Sequence, residues 1–472
     1  MAPFLHGHAT HPDAPTALAL AAAQVEAQRA GGAPPTLGWL YLSDHHARRA
    51  EALLAEAGRR WPGVAWVGAV GVGVAASGIE YFDEPGLVLM LASLPREHFR
   101  LFSGLCPLPP DAAVHTAQVH ADPATPDLAE LIGELSSRSA TGYLFGGLAS
   151  SRTRTLHIAD GVFEGGLSGV AFGREVALVS RVTQGCQPVG PARRIAECDG
   201  NVITRLDDEP ALDCLLHDLG LDADAPRGAL TALRQTLVGL SDADAELRAR
   251  GEQFGADTRV RHLIGIDPLR RGIAIGDIAE AGMQLAFCQR HTEAARRDLV
   301  RICAEIREEL EPQELPIAVE ASAAGAAAAA SRAAARQPIA GAIYVSCAGR
   351  GGPHFGAPSA ELAIVRHALG DVPLAGFFAA GEIARHHLYG YTGVLTVFAA
   401  CAAAAAGPDS RLRGNDRGTR GQSRHDFRFQ RCERHGRRTC GAGAAPGRGG
   451  RRTGLAAARA RPAVAARGRR AL

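Results

Sequence analysis

The stretch AIYVSCAGRGGPHFG, residues 342–356, places a thiol, a guanidinium and an imidazole directly after a run of apolar residues. The apolar run predicts a buried strand, and the glycines that follow it predict a tight loop. A guanidinium binds a carboxylate or a phosphate through two parallel hydrogen bonds, and glycine lets backbone N–H groups approach an anion closely. The stretch therefore predicts a ligand-binding loop that contains Cys347, Arg350, Gly351 and His354.

Cys347 also supports a second hypothesis, in which its thiol is the nucleophile of an enzyme that transfers acyl or thioester groups. A thiol at a strand end, beside an arginine and exposed backbone N–H groups, can have a lowered pKa. No Cys–His–Asn pattern of a protease family surrounds it, however, and a small packing residue would suit the same position. We expect Cys347 to contact a ligand and assign no catalytic residue, and the enzymatic alternative stays open.

A second loop of similar composition, TQGCQPVG at residues 183–190, lies in a region of predicted antiparallel sheet. It combines a glycine, a thiol and an amide, and it is either a second wall of the same pocket or a turn with a buried thiol. The pocket hypothesis adds Gly185, Cys186 and Gln187 to the predicted site.

The residue types that the chain lacks exclude several chemistries. All 51 cationic side chains are arginine, so neither a Schiff-base lysine nor a P-loop lysine can exist. The ten cysteines show no CxxC spacing, and the adjacent histidines of the His45–His46 and His386–His387 pairs point apart on a strand or a helix. We therefore expect no metal site and no cofactor, and thiols typical of a reducing compartment.

Two features bear on the location of the protein. No basic residue precedes Arg29 and no signal-peptide cleavage pattern follows, which predicts a cytoplasmic protein. Residues 388–408 carry no charge, but their glycines and alanines favour a buried strand followed by a helix over a membrane span.

Residues 408–472 form a tail with 18 arginines against 4 acidic residues and with few aliphatic side chains. Such a composition cannot bury a core and predicts disorder. The tail has only two aromatic residues, Phe427 and Phe429, and no predicted fold, which argues against a nucleic-acid-binding arm. The phrase DSRLRGND resembles a translated dispersed bacterial repeat, so we interpret the tail as read-through sequence.

Hydrophobic periodicity predicts a mixed α/β fold. Residues 37–43, 64–73 and 86–94 have the pattern of buried strands, with a helix over 46–60. The same order returns in residues 341–401, where GAIYVSC matches GWLYLSD when Gly341 is aligned with Gly38. The pattern predicts a duplicated strand–helix–strand unit, and ligands bind at the carboxyl ends of such parallel strands.

The middle of the chain differs from both copies. Asp160-Gly161 and Asp199-Gly200 are hairpin signals between short alternating runs, which predicts antiparallel sheet. Apolar periodicity predicts helices over residues 229–240 and 292–310.

Several of these segments together resemble the FIST family of intracellular sensory domains. The resemblance extends from about Phe4 to about Phe398, and it is carried by AWVGAVGVGVAASGIEYFDEPGLVLML, VTQGCQPVGPARRIAECDGNVITRLDDEPAL, SCAGRGGPHFG and LGDVPLAGFFAAGEI. It implies a FIST N-terminal domain, which we place at residues 30–235, and a FIST C-domain at residues 255–400. The expected fold class is α/β, with two related domains, mixed parallel and antiparallel sheets, outer helices and a disordered C-terminal tail.

The resemblance also implies a function, which is the binding of a small ligand such as an amino acid or a related metabolite in bacterial signal transduction. Carried over by position, the glycine-rich segments of the family fall on residues 185–188 and 346–356, and its glutamate falls on Glu382. In this hypothesis Arg350 binds an anionic group and Glu382 accepts a hydrogen bond from an amino group. No signalling module accompanies the two domains, so a signalling partner would be a separate chain.

Overall fold

The computed structural model describes residues 4–29, 31–221, 232–242, 258–311 and 339–400. The tail at residues 408–472, predicted to be disordered, lies outside the described residues. The α-helices of the described residues are α1 (Ala14–Ala27), α2 (Ala50–Arg60), α3 (Leu128–Ser137), α4 (Ala211–Asp218), α5 (Thr292–Leu310) and α6 (Ala360–Leu369). Short 3-10 helices cover Asp44–Arg49, Arg96–His98 and Gly352–Phe355.

The strands follow in chain order. Before residue 175 they are β1 (Leu5–Thr10), β2 (Leu37–Ser43), β3 (Ala65–Gly71), β4 (Gly73–Ala76), β5 (Ile79–Phe82), β6 (Gly86–Ala92), β7 (Phe99–Ser103), β8 (Thr116–Ala121), β9 (Leu144–Leu148), β10 (His157–Ala159), β11 (Val162–Phe163) and β12 (Leu167–Phe172). After it they are β13 (Leu178–Gln184), β14 (Cys186–Pro188), β15 (Arg193–Asp199), β16 (Val202–Leu206), β17 (Glu209–Pro210), β18 (Thr236–Ser241), β19 (Arg259–Asp267), β20 (Gly272–Ile275), β21 (Gln284–Arg290), β22 (Ile339–Cys347), β23 (Leu374–Ala379), β24 (Glu382–Arg385), β25 (His387–Tyr389) and β26 (Thr392–Ala399).

Three six-stranded sheets share one topology. Sheet I has the order β1-β6-β2-β3-β10-β11, sheet II the order β7-β12-β8-β9-β24-β25, and sheet III the order β13-β26-β22-β23-β4-β5. In each sheet the third and fourth strands are parallel and the other neighbours are antiparallel. The unit that the sequence suggested twice therefore occurs three times.

The last hairpin of each sheet comes from a different unit. The β4–β5 hairpin follows β3 of sheet I but pairs with β23 of sheet III, and β10–β11 follows β9 of sheet II but pairs with β3. The β24–β25 hairpin follows β23 of sheet III but pairs with β9. This cyclic exchange ties the three units together, and it carries strands from either side of residue 210 into the same sheets.

A glycine fixes the register of each parallel pair. Gly68 lies opposite Leu40, Gly146 opposite Val119, and Gly376 opposite Tyr344. A methyl group at these glycines would lie 1.8 to 1.9 Å from the carbonyl oxygen of the facing residue, so the backbones approach closely at this point in all three units.

This register corrects the alignment drawn from the sequence. Aligning Gly341 with Gly38 places Tyr344 at the position of Tyr41. However, Tyr41 lies in the central core, whereas Tyr344 lies on the outer face of sheet III. The structure instead aligns Tyr41 with Val345, which is also in the central core. A shift of one residue turns every side chain of a strand to the opposite face. The two segments have similar residue types, so the sequence alone did not reveal the shift.

The inner faces of sheets I to III meet in one central core. It contains Trp39 and Tyr41 of sheet I, Phe172 of sheet II, and Phe377 and Phe398 of sheet III. Helices α1 and α2 cover the outer face of sheet I, α3 covers that of sheet II, and α5 and α6 cover that of sheet III. The mixed sheets and the outer helices agree with the predicted fold class.

A fourth, antiparallel sheet is inserted between β13 and β22. Its order is β14-β21-β15-β16-β20-β19-β18, and β18 also pairs with β21, so the sheet closes on itself. The predicted strands over 262–268 and 272–277 correspond to β19 and β20, and the predicted helix over 292–310 is α5. The helix predicted for 229–240 is wrong at its end: Thr236–Ser241 is strand β18, because pairing with both β19 and β21 outweighs the local pattern.

None of the described helices is both long and apolar enough to cross a membrane. In the uncharged segment that begins at Leu388, the described residues include the end of β25 and all of β26, as the strand interpretation predicted. The helix predicted to follow this strand lies outside the described residues.

Candidate functional site

The candidate site lies at one end of sheet III, where β13 and β22 finish and β26 begins. Gln184 at the end of β13 faces Thr392, and Ser346 near the end of β22 faces Gly393. The two predicted loops therefore meet: a methyl group on Gly185 would lie 3.0 Å from Nη1 of Arg350 and 3.0 Å from the carbonyl oxygen of Tyr391. Gly185 therefore packs closely against the guanidinium, and a larger residue at this position would crowd Nη1.

Gly185, Cys347, Arg350, Glu382 and Tyr391 are referred to below as the cluster. Arg350 lies at its centre and is only 1% exposed. Its Nε donates to Oε1 of Glu361 at 2.9 Å, and Nη2 lies 2.8 Å from the same oxygen as an ion-pair contact. The guanidinium also lies 5.1 Å from the centre of the Phe355 ring. Burial disfavours the charge, but Glu361 and its hydrogen bond outweigh burial and raise the pKa of Arg350. Arg350 is therefore a buried cation.

Glu361 is a residue of the site that the sequence did not reveal. Its carboxylate accepts hydrogen bonds from the Tyr344 hydroxyl at 2.7 Å and from Ser346 Oγ at 3.0 Å, in addition to Arg350. It stands in the first turn of α6, where an acidic residue is common for reasons of helix stability alone. Ser346 and Arg350 in the predicted loop were the available signal, since a buried guanidinium needs a carboxylate.

One nitrogen of Arg350 has no partner. Nη1 is buried and makes no hydrogen bond to any described residue, whereas Nη2, which also lacks a well-aligned hydrogen bond, lies 2.8 Å from the Glu361 carboxylate. Leaving a buried polar group without a hydrogen bond costs about 1–3 kcal/mol. Nη1 is therefore a buried donor without an acceptor, on the side of the guanidinium that packs against Gly185.

Glu382 is completely buried beside this guanidinium. Oε2 accepts from the backbone N–H of Thr392 at 3.2 Å and from its hydroxyl at 2.7 Å, whereas Oε1 is buried without a hydrogen-bond partner among the described residues. Burial raises the pKa of Glu382 to about 8, although the Thr392 hydrogen bonds and the charge of Arg350 oppose the rise. Glu382 is thus mostly a neutral acid at pH 7.

Cys347 is buried next to Glu382 at the end of β22. Burial, with a further contribution from Glu382, raises the pKa of its thiol to about 12. A nucleophilic cysteine needs the opposite change, because the thiolate is the reactive species. The environment of Cys347 therefore disfavours the hypothesis of an enzyme that uses this thiol.

We expect iodoacetamide to label Cys347 at pH 7.5 at least 100-fold more slowly than Cys106, because burial and a high pKa leave Cys347 with almost no thiolate. Peptide mapping by mass spectrometry measures both rates in one sample, and exposed Cys106 serves as the internal control. Labelling of Cys347 as fast as Cys106 would contradict this assignment and restore the nucleophile hypothesis.

Tyr391 lies over the cluster, between Cys347 and the inserted sheet. Its hydroxyl is 2.8 Å from Nε2 of His262 in β19, and the guanidinium of Arg290 lies 5.4 Å from the centre of its ring. Arg290 also donates to the carbonyl oxygen of Gly349, and a methyl group on Gly349 would approach the Tyr391 ring to 3.3 Å. Arg290 and His262 thus connect the inserted sheet to the predicted loop.

Helix α5 and the inserted sheet hold the second loop in place. Asp298 accepts a hydrogen bond from the backbone of Gln184 at 2.7 Å, and the Gln184 amide donates to the carbonyl oxygen of Thr258 at 2.8 Å. The carbonyl oxygen of Gly185 accepts from the backbone of His291 at 3.0 Å. These contacts position Gly185 against Arg350.

The other predicted site residues lie near the cluster but have different neighbours. Cys186 packs in an apolar cluster with Cys288, and burial and Cys186 raise the pKa of Cys288 far above its usual range. Gln187 faces Gln289 in the pairing of β14 with β21. Both residues belong to β14 of the inserted sheet, and Tyr391 packs against the apolar cluster that contains Cys186.

Gly351 and His354 belong to the loop after Cys347. A methyl group on Gly351 would lie 2.2 Å from the Phe82 ring, so this glycine is needed for packing. His354 lies in the short helix Gly352–Phe355, where its carbonyl oxygen accepts from Thr292 at 3.0 Å. Burial, together with Arg290 and Arg350, lowers the pKa of His354 to about 4, so its imidazole is neutral at pH 7.

The described residues contain no group of three or more His, Cys, Asp or Glu side chains arranged to hold a metal ion.

Comparison with known proteins identifies the family. Residues 36–209 match the FIST N domain and residues 211–385 match the FIST C domain. The chain is 30% identical over 422 residues to the uncharacterized protein Rv0628c of Mycobacterium tuberculosis, with coverage of 83% of this chain and 98% of the relative. It is also 30% identical over 421 residues to the uncharacterized protein Mb0898c of Mycobacterium bovis, with coverage of 83% and 97%. The chain belongs to the FIST family and contains its N domain followed by its C domain.

Proposed function

We propose that this protein is a small-ligand-binding sensory protein, and that its ligand occupies the cluster formed by Gly185, Cys347, Arg350, Glu382 and Tyr391. FIST domains are associated with sensory signal transduction, which supports the sensory role. Amino acids and related metabolites are the compounds to test first, and the bound state is read by a separate signalling protein.

One observation carries the proposal. Nη1 of Arg350 and Oε1 of Glu382 are buried, lack hydrogen-bond partners among the described residues, and belong to two side chains that affect each other electrostatically. A fold tolerates such atoms at a cost of about 1–3 kcal/mol each, and a bound polar molecule removes this cost. Two such atoms on side chains that interact favour a ligand over a purely structural role.

We expect a thermal-shift screen of amino acids and organic acids to identify a stabilising compound, because a ligand present at 100 times its Kd adds about 2.7 kcal/mol to the free energy of unfolding. The Gly185→Ala variant places a methyl group 3.0 Å from Nη1 of Arg350 and should abolish the shift. Arg350→Lys keeps the charge but loses the fork of donors and should also reduce the shift.

The matched control is Gly133→Ala in α3, where a methyl group meets no atom within 4 Å. This variant should keep the full ligand response. If every stabilising compound acts equally on wild type, Gly185→Ala and Arg350→Lys, the ligand does not bind at this cluster and the proposal fails.

A further inference from the structure

The outer edge of sheet II is formed by β7, and it is less protected than the corresponding edges of sheets I and III. The strands β1, β7 and β13 occupy the same first position in the order of their three sheets. A strand in this position pairs on one side only, so the N–H and C=O groups on its free side need other partners. The three units differ in how they supply those partners.

Two glutamines close the free side of β1. Gln24 of α1 accepts from the backbone N–H of His8 at 3.2 Å and donates to the carbonyl oxygen of His8 at 2.7 Å. Gln28, directly after α1, does the same for His6 at 3.1 and 2.6 Å. Four residues of a helix and two residues of a strand both span about 6–7 Å, so the two amides match alternate residues of β1.

Side chains also close the free side of β13 in sheet III. Arg181 donates to the carbonyl oxygen of Ser180 at 3.0 Å. Asp298 of α5 accepts from the backbone N–H of Gln184 at 2.7 Å. In both units, a helix that follows the edge strand in the chain therefore helps to protect it.

The hydrogen bonds at the two ends of β7 show which of its residues face outward. Gly173, which follows β12, donates to the carbonyl oxygen of His98 at 2.8 Å, so the even-numbered residues of β7 bond to β12. Ser103 instead exchanges two hydrogen bonds with Cys106, at 3.0 and 3.1 Å. The odd-numbered residues of β7 therefore face the free side of the sheet.

The chain leaves this free side uncovered over Phe99 and Leu101. It turns back at Cys106 but does not continue along β7, because residues 107, 109 and 110 are prolines, which have no backbone N–H to donate. None of the described helices lies between β7 and β8. The outward N–H and C=O groups of Phe99 and Leu101 form no hydrogen bond with any described residue. These four groups have strand geometry, which is what an added strand requires.

The side chains along this edge indicate the chemistry of a partner. Arg100 is exposed, lies on the same face as Phe102 and forms no ion pair with any described residue. Leu101 lies on the opposite face, where it packs against the central core and stays partly exposed. Leu105, in the turn between Ser103 and Cys106, is 85% exposed. The edge thus offers one free cation and apolar contacts on either side of its unpaired backbone.

Charge distinguishes between two possible occupants. A carboxylate directly opposite an arginine stabilises a pair of strands, whereas two like charges in that position destabilise it. If a second copy paired with this edge across a two-fold axis, with Phe99 opposite Leu101, Arg100 would face Arg100 of that copy. The edge therefore favours a partner with an acidic residue over a second copy of the chain.

We propose that the edge of β7 is a strand-addition site for an extended segment of a separate protein, in which acidic residues that face Arg100 alternate with apolar residues that face Leu101. The segment pairs with the outward backbone groups of Phe99 and Leu101, in the manner of peptides that bind at sheet edges. This surface belongs to sheet II, whereas the cluster lies at one end of sheet III, so pairing here does not require the proposed ligand.

Fluorescence anisotropy of the full chain with short labelled peptides tests the proposal. One peptide alternates valine with glutamate, and its counterpart alternates valine with arginine. The valine–glutamate peptide should bind with a Kd below about 1 mM, as expected for a small strand interface. It should bind at least about fivefold more tightly than the valine–arginine peptide, and Arg100→Glu should reverse this order.

A backbone variant tests the strand pairing itself. Leu101→Pro removes one outward N–H, which proline at an edge strand tolerates, and it should abolish binding of the valine–glutamate peptide. Leu101→Ala is the matched control, because it loses the same side chain and keeps the N–H. It should weaken binding by no more than about fivefold. Methylation of alternate peptide nitrogens should abolish binding in one set and preserve it in the other, since only alternate N–H groups face β7.

Several results would overturn the proposal. They are no binding of the valine–glutamate peptide, equal binding of the two peptides to wild type, or equal binding to Leu101→Pro and Leu101→Ala. Equal effects of the two methylation sets would also exclude strand pairing, and this comparison decides if Leu101→Pro does not fold. A dimer that light scattering detects in wild type and not in Leu101→Pro would identify a second copy as the occupant and refute the acidic partner.

Discussion

Replacement of Arg350 by alanine should lower the free energy of unfolding by about 3–5 kcal/mol, the largest effect expected for any side chain of the site. The substitution leaves Glu361 buried at 1% exposure without its cation, and it removes the contact with the Phe355 ring. Urea unfolding of wild type and variant at pH 7 measures the change.

The matched control is the double variant Arg350→Met with Glu361→Gln, which removes both charges and keeps an acceptor for Tyr344 and Ser346. It should recover at least half of the loss, since the cost arises from the unpaired carboxylate. A loss below about 1 kcal/mol in Arg350→Ala, or no recovery in the double variant, would show that this ion pair is not buried as described.

The second large effect concerns the backbone. Gly376→Ala should destabilise the protein by about 3 kcal/mol, because its methyl group would lie 1.8 Å from the carbonyl oxygen of Tyr344 and would separate β22 from β23. This pair of strands carries Cys347 and leads to Glu382, so the variant should also lose its response to ligand.

Gly133→Ala, which meets open space in a helix, should instead stabilise by about 0.5–1 kcal/mol. Thermal unfolding of the two variants beside wild type provides the comparison. Equal stability of Gly376→Ala and wild type would contradict the close approach of β22 and β23, and with it the register that aligns the three units.

The three units have related strand ends, but the candidate site lies in only one of them because of the inserted sheet. Ser43, Asp122 and Cys347 each stand three residues beyond the residue that faces the register glycine. Only after β13 of sheet III does the chain continue into the closed fourth sheet, which brings Gly185, Arg290 and His262 over the strand end. The inserted sheet thus encloses one of three related strand ends.

The sequence by itself determined many of the local elements and pointed to most residues of the candidate site. Strands such as Leu37–Ser43 and Ile339–Cys347 are buried on both faces, so their residues are almost all apolar and the strands are easy to recognise in the sequence. The third unit escaped notice because its strand β8 carries Gln118 and His120, which are buried and hydrogen-bonded to Trp39 and Tyr41. Polar side chains paired with distant residues leave no local signal.

Only the tertiary structure decided which chemistry the site residues offer. The sequence placed Cys347, Arg350 and Glu382 at strand ends, but the partner of Arg350 is Glu361, which comes from a helix that local patterning explains without any site. Likewise, burial raises the pKa of Glu382 to about 8, a change that its position in the sequence does not reveal. Burial and pairing are properties of residues that are far apart in the chain, and they become defined only when the sheets exchange their hairpins and close around the core.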